Sequence, residues 1–285
     1  MKLIQHLIHN RMLHLLGGLA AAAGWYATRV EPQRYHVNHI TLPLRDLPPA
    51  FDGYRIAHIS DQHLGVPRID ALLPRVVAMV NGEVPDLIAM TGDLVTWSCY
   101  EGFDPNVTAP LADLHAPDGI WSVLGNHDYT APLAVQDLLA ARGITLLKNE
   151  SRIITRGTDR LALTGLDSMV WGAPDLNAAL ADVPDSMPVI LLMHEPDFAP
   201  AAAAYPNIRL QLSGHTHGGQ ITPLNRPLVL PQHGRNYARG LRPVRRMWLY
   251  VTTGTGTGRF VIRWRSRPEI ALITLQRFES VQPVV

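Results

Sequence analysis

The chain has 285 residues, 47% of them hydrophobic and 17% charged, with a formal net charge of +1. Such apolar content excludes a disordered or collagen-like chain and suits one sizeable domain or two small ones; a charge so near zero gives no reason to expect a nucleic-acid partner. A single cysteine, Cys99, excludes an internal disulfide and a thiolate zinc cluster, which leaves thirteen histidines as raw material for a metal site.

Met12 to Thr28 is nearly all apolar, interrupted only by His14. Its length lies at the short edge of a bilayer span, roughly 17–25 residues. Trp25 and Tyr26 stand at the far end, where interfacial aromatics belong. Residues 1–30 are therefore read as a membrane anchor in contact with lipid. Two alternatives stay open. One is a cleavable signal segment, with Lys2 and Arg11 at its charged start and Ala20–Ala23 as the cleavage region; the other is a helix packed on the domain. Arg29, Arg34 and Arg45 follow the run, so charge does not fix the side of the membrane.

Residues 31–50 alternate polar and apolar from Tyr35 to Leu44 and then turn at Pro48–Pro49, which predicts a lead-in strand. Past Phe51 no repeat or linker interrupts the chain, so 51–285 is expected to be one domain. Short apolar runs recur there: Arg55–Ser60, Asp86–Thr91, Gly119–Leu124, Pro188–Met193 and Ile208–Leu212. Between them Ile69, Leu72, Leu73, Val76, Val77 and Val80 keep helical spacing. A second helix is expected from Pro132 to Gly143, presenting Leu133, Leu138 and Leu139. Buried strands alternating with helices predict an α/β domain, whose ligands gather beyond the strand ends.

Each run ends in a polar cluster. In order these are Asp61-Gln62-His63, Gly92-Asp93, Gly125-Asn126-His127-Asp128, His194-Glu195 and Gly214-His215-Thr216-His217-Gly218-Gly219. Singly each is weak, but packing alone gives no reason to place carboxylates and imidazoles at the rim of five strands. A shared metal site does. Oxygen donors and neutral imidazoles suit Mn, Zn or Fe. Seven candidate ligands, Asp61, His63, Asp93, Asn126, His194, His215 and His217, exceed one tetrahedral ion and suit two ions about 3.5–4 Å apart. Of the remaining polar residues, His58 is expected to face the sheet, and Glu195 and Thr216 to lie behind the ligands or in solvent. His233, Arg235 and Arg259 are weak candidates for substrate contact. Gly254–Arg259 reads as a mobile turn, since it lacks the lysine and spacing of a phosphate loop.

The series D-x-H, G-D, G-N-H-D, H and G-H-x-H, from about Phe51 to the C-terminus, closely resembles the calcineurin-like metallophosphoesterases. The resemblance implies a four-layer αββα sandwich of two mixed β-sheets. It implies that Asp61, His63 and His217 hold one divalent ion, that Asn126, His194 and His215 hold the other, and that Asp93 bridges them. His127 would stand beside the phosphoryl group, with Asp128 holding its ring. Asp93 is followed by Leu94-Val95-Thr96-Trp97 rather than Arg-Gly, which disfavours the Ser/Thr protein phosphatase branch.

The apolar N-terminus, GHTHGGQ and the segment Gly254 to Ile270 look like a bacterial membrane-anchored subgroup, some of whose members resemble UDP-2,3-diacylglucosamine pyrophosphatases of lipid A synthesis. The expectation is a two-metal phosphodiester or pyrophosphate hydrolase at the inner membrane, acting on a nucleotide-linked lipid. An exported envelope phosphodiesterase of broad specificity is the alternative, and a noncatalytic binding module the remote one. Residues 221–285 carry eleven arginines against Glu269 and Glu279, which suits an anionic substrate or membrane surface.

Overall fold

A computed structural model describes residues 2–96, 103–258 and 260–278. Its strands form two six-stranded mixed sheets. The first contains β1 (His36–Leu44), β2 (Arg55–Ile59), β3 (Leu87–Met90), β4 (Ile120–Ser122), β5 (Thr145–Leu146) and β12 (Glu269–Arg277), in the order β1-β12-β2-β3-β4-β5. Strands β2 to β5 run parallel; β12 lies parallel to β1 and antiparallel to β2. The second contains β6 (Glu150–Arg156), β7 (Asp159–Gly165), β8 (Val189–Leu192), β9 (Ile208–Ser213), β10 (Gly240–Val244) and β11 (Met247–Val251), in the order β10-β11-β9-β8-β7-β6. There β7, β8, β9 and β11 are parallel, with β6 and β10 antiparallel at the edges.

Alternation along the strands explains the layering, because successive side chains point to opposite faces. Ile56, Leu87 and Ala89 of the first sheet meet Leu161, Leu163, Ile190, Leu192, Leu210 and Leu212 of the second in a shared middle layer. Ala57, Ile59, Ile88 and Met90 point outward under helix α3 (Leu73–Gly82), which offers Leu73, Val76, Val77 and Val80 from one stripe. On the opposite side Ala162, Val189 and Leu191 lie under two short helices, α5 (Leu176–Leu180) and α6 (Ala199–Ala202). Strands buried on both faces read as continuous apolar runs, as these do in the sequence.

Two features differ from expectation. The helical pattern from Ile69 is broken: α2 (Pro67–Asp70) stops, and α3 starts at Leu73 with Pro74 in its first turn. Helix α4 (Pro132–Ala140) buries Val135 and Leu139, while Leu133 is exposed, because a helix this short can seat only one i, i+4 pair. The five runs that carry the polar clusters divide between the two sheets that the resemblance implies. β2, β3 and β4 belong to the first sheet, β8 and β9 to the second, and the clusters meet at one end of the sandwich.

The N-terminal run forms helix α1 (Lys2–Trp25), continued by a π-helical turn at Tyr26–Val30. No helix among the described residues is long and apolar enough to cross a membrane. The expected spanning anchor is thereby corrected. Even if helical throughout, Met12–Thr28 reaches only about 25 Å at 1.5 Å per residue, against a hydrocarbon core of about 30 Å. His9, Asn10 and Arg11 then interrupt the apolar character. From His9 onward the helix exposes its apolar side chains, Met12, Leu13, Leu15, Leu16 and Leu19 among them, and burial begins at Ala27.

Candidate metal centre

Each chain segment leaves its strand and turns sharply. Asp61, His63, Asp93, His215 and His217 all adopt positive φ, between 50° and 71°. Non-glycine residues rarely occupy this region, and at functional sites the strain is held by the surrounding structure. Here that structure is a mesh of main-chain bonds between neighbouring strand ends, with one bond joining the two sheets. Asp61 N–H donates to Gly92 O, His63 N–H to Asp93 O, Gly214 N–H to His194 O and Gly256 N–H to Asp61 O.

The seven candidate ligands converge into two groups. In the first, His63 Nε2 lies 3.0 Å from His217 Nε2, and His217 Nε2 lies 3.5 Å from Asp61 Oδ1. In the second, His194 Nε2 lies 3.2 Å from Asn126 Oδ1 and 3.2 Å from His215 Nδ1. Asp93 joins them: its Oδ2 is 3.6 Å from His63 Nε2 and 3.3 Å from His194 Nε2. Atoms bound to one ion at about 2.1 Å must stand roughly 3–3.5 Å apart, so each group has the spacing that would suit a divalent cation, with Asp93 in reach of both.

Second contacts fix which nitrogen of a ring faces inward. His194 Nδ1 meets Thr91 O at 2.6 Å, so it carries the proton and Nε2 turns to the cluster. His215 is reversed, with Nε2 on Gln232 O at 2.7 Å and Nδ1 inward. Neither Thr91 nor Gln232 was predictable, since each acts through a carbonyl that any residue supplies.

Burial and charge act unevenly on the donors: burial lowers His194, but Asp93 outweighs it and holds the imidazole well above its usual range. Burial pushes Asp61 up to about 7, against the pull of His194. It pushes His63 down to about 3, and burial together with His63 holds His217 well below the imidazole range. For Asp93 burial acts upward, but His194 and its neighbours outweigh it and hold the carboxyl well below the usual range. His63 and His217 are thus neutral, with lone pairs available to a cation, and their buried Nδ1 atoms have no hydrogen-bond partner among the described residues.

His127 and Asp128 follow Asn126 on the same turn. His127 N–H donates to Asp93 Oδ1 at 2.8 Å, and its ring stands 4.7 Å from that of His63, edge to face. A ring nitrogen of His127 comes within 4.8 Å of the ligand atoms of His63 and Asp93. Asp128 begins the short turn that follows. Its buried carboxylate accepts main-chain N–H bonds from Asp93 (2.8 Å), Gly125 (2.9 Å) and Val95 (3.2 Å). It clamps the backbone that carries Asp93.

A cavity of about 530 Å³ opens above the cluster, floored by Asp93, Asn126, His127, His215 and His217. Its walls are apolar, and Leu228, Val229 and Phe260 are largely exposed. This rim was missed, because loop hydrophobics in a sequence carry no periodicity. His233 and Arg235 do not line the cavity; their loop is held by Asp197, which accepts from Arg235 N–H and donates its own N–H to His233 O. Arg259 lies outside the described residues, as does Cys99. Glu195 is fully buried and binds Ser168 Oγ and Met169 N–H, while Thr216 Oγ1 donates to Ala238 O. His58 is buried within the sheet against Thr91 Oγ1.

The turn after Thr253 is packed, not mobile. Arg263, fully buried, donates from its guanidinium to Thr253 O, Gly254 O and Gly256 O, and so presses the turn against Asp61.

The profile of the calcineurin-like phosphoesterases matches residues 54–219. The metallophosphoesterase YkuE of Bacillus subtilis is 34% identical over 91% of this chain and 92% of its own length. The phosphodiesterase YaeI of Escherichia coli is 28% identical over 78% of this chain and 82% of its own. A Danio rerio protein, named as a transmembrane protein with a metallophosphoesterase domain, is 33% identical over 84% of this chain, which spans 56% of that longer protein. Among solved structures, a dimetal phosphatase from Danio rerio shares the fold, with 12% identity, a TM-score of 0.50, and coverage of 80% of this chain and 94% of that one.

Proposed function

This chain belongs to the calcineurin-like phosphoesterases, and on that premise we propose that it hydrolyses a phosphodiester or pyrophosphate bond carried by an amphiphilic substrate. Two divalent ions are the family's cofactor. Once bound they lower the pKa of water toward neutrality and neutralise the phosphate oxygens. Asp61, His63 and His217 would hold one ion, Asn126, His194 and His215 the other, with Asp93 between them. The observation that carries this reading is the Asp93 oxygen, within 3.6 Å of imidazoles from both groups.

His127 stands on the cavity floor beside Asp93 and is placed to give a proton to the departing oxygen, a contribution of ~10²–10⁴ in rate. Asp128 acts behind it, by fixing the peptide of Asp93. The apolar walls at Leu228, Val229 and Phe260 support a substrate with a hydrophobic portion next to the scissile phosphate. UDP-2,3-diacylglucosamine is the leading candidate, by the resemblance drawn from the motifs.

The test is hydrolysis of bis-p-nitrophenyl phosphate and of UDP-2,3-diacylglucosamine by the Mn²⁺-loaded protein. Turnover of both, with the lipid preferred, is expected. Folded protein inert toward every phosphoester with every divalent ion would contradict the reaction; preference for the small ester would contradict the amphiphile alone.

A further inference from the structure

The arginine excess of the last quarter is not spent at the metal centre. Part of it surrounds a second cavity of about 690 Å³, into which Arg239, Arg242, Arg265 and Arg267 converge beside Tyr26 and Trp264. None of the seven candidate metal ligands lines it. The turn at His217–Gly219 separates the two cavities. His217 and Gly219 border the metal side, whereas a Cβ on Gly218 would lie 2.7 Å from Thr253 Cγ2 and 3.2 Å from Arg239 Cδ, both on the arginine side.

We propose that this cavity is an anion site, built to take a pair of linked phosphate groups. The size falls within the range of ligand pockets, about 300–1,000 Å³. Charge sets the sign of the ligand. Four guanidinium groups face only two carboxylates, Glu31 and Glu269, and both are buried and already engaged. Glu31 accepts from Ser266 N–H at 2.8 Å; Glu269 accepts from Tyr250 Oη and lies 3.9 Å from His36 Nε2.

Two of the arginines are fixed and two are available. Arg239 donates to Arg265 O at 3.0 Å, and Arg267 to Arg34 O at 3.0 Å. The exposed side chains of Arg242 and Arg265 make no hydrogen bond or ion pair with any described residue. Guanidinium groups hold phosphate oxygens in paired N–H contacts, and four converging from the start of β10 and the segment before β12 match two phosphates better than one. Tyr26 and Trp264, edge to face at 5.8 Å, supply an apolar wall for whatever carries the phosphates. That carrier is either a soluble diphosphate or a lipid headgroup, and helix α1, with its exposed leucines, leaves the domain at Tyr26 beside the cavity.

The test is arginine footprinting with phenylglyoxal on the full, Mn²⁺-loaded chain, read by mass spectrometry at each site. Methylenediphosphonate, which cannot be hydrolysed, is the soluble probe; vesicles containing diacylglycerol pyrophosphate, whose headgroup is a diphosphate, are the lipid probe. At about ten times the dissociation constant, modification of Arg242 and Arg265 is expected to slow roughly tenfold. Arg245 and Arg246, exposed at the tip of the same hairpin, should be unaffected. Protection by the diphosphonate assigns a soluble ligand; protection by vesicles alone assigns a headgroup. The double variant Arg242→Ala, Arg265→Ala should lose the protection of Arg239 and Arg267. No selective protection with either probe overturns the proposal, and because the wild-type footprint decides this, a poorly folding variant does not matter. The result is independent of catalysis, so an inert enzyme with a protected cavity would contradict only the function proposed above.

Discussion

The Nε2 atoms of His63 and His217 face each other at 3.0 Å inside the protein, both rings buried and close to stacked. Without a cation, at most one of the two nitrogens carries a proton toward the other, and Asp61 and Asp93 stay buried beside them. With one, both lone pairs are used. Chelation of the bound metal should therefore lower stability as well as activity. At an ion concentration about 1,000 times the dissociation constant, each site contributes roughly 4 kcal/mol, or about 8 °C in Tm for a chain of this size. Calorimetry with and without chelator, followed by Mn²⁺ or Zn²⁺ add-back, checks this; an unchanged Tm would count against buried metal sites.

Gly125 sits directly against Asp93. A Cβ there would lie 2.2 Å from Oδ1 and 2.5 Å from the Asp93 nitrogen, so Gly125→Ala must displace the carboxylate proposed to bridge. Stability should fall by about 1–3 kcal/mol, and metal affinity by at least roughly tenfold. Gly143→Ala is the control, with positive φ but open space around it. It should lose stability alone, as judged by urea melts and metal titration.

Asp128→Ala removes the acceptor for three buried N–H groups, at about 1–3 kcal/mol each. Metal affinity should drop along with stability, because the peptide of Asp93 is freed. Asp128→Asn keeps one acceptor oxygen and should be intermediate in both. If Asp128→Ala changed the pH dependence of hydrolysis but neither stability nor metal binding, the ring-holding role expected from the motif would be restored.

His58 lies buried in β2 with Nε2 on Thr91 Oγ1, and burial pushes its imidazole down to about 3. Between that value and the unfolded one near 6.5, the unfolded chain binds the proton and the native one does not, so this contribution is full above pH 6.5 and is lost as pH falls. The stability advantage of the wild type over His58→Gln should shrink by about 2 kcal/mol from pH 7 to pH 5. Urea denaturation of both proteins at the two pH values measures it; a gap independent of pH would mean that His58 titrates normally.

Much of the site was legible because its chemistry lies in side-chain identity at strand ends. The runs ending at Ser60, Thr91, Leu124, Met193 and Leu212 all form strands, and the Asp and His residues after them converge. Spacing could not show that these strands divide between two sheets, because pairing is decided by contacts distant in sequence, such as β12 inserting between β1 and β2. The clamp formed by Asp128 was hidden for a related reason: Asp-x-His patterns identify donors, not the peptide groups a carboxylate will meet. Arg263 looked like one arginine among eleven, and only burial sets it apart as the holder of the glycine turn. At the N-terminus the apolar run does lie in a helix, but a helix of 24 residues spans only if it is apolar along its length, and Lys2, His9, Asn10 and Arg11 interrupt this one.

The central claim is that Asp93 lies between two cations, and an anomalous difference map from crystals grown with Mn²⁺ tests it most directly. Two peaks about 3.5–4 Å apart are predicted, one beside Asp61, His63 and His217 and the other beside Asn126, His194 and His215, with Asp93 touching both. A single peak, or two that do not share Asp93, would contradict it.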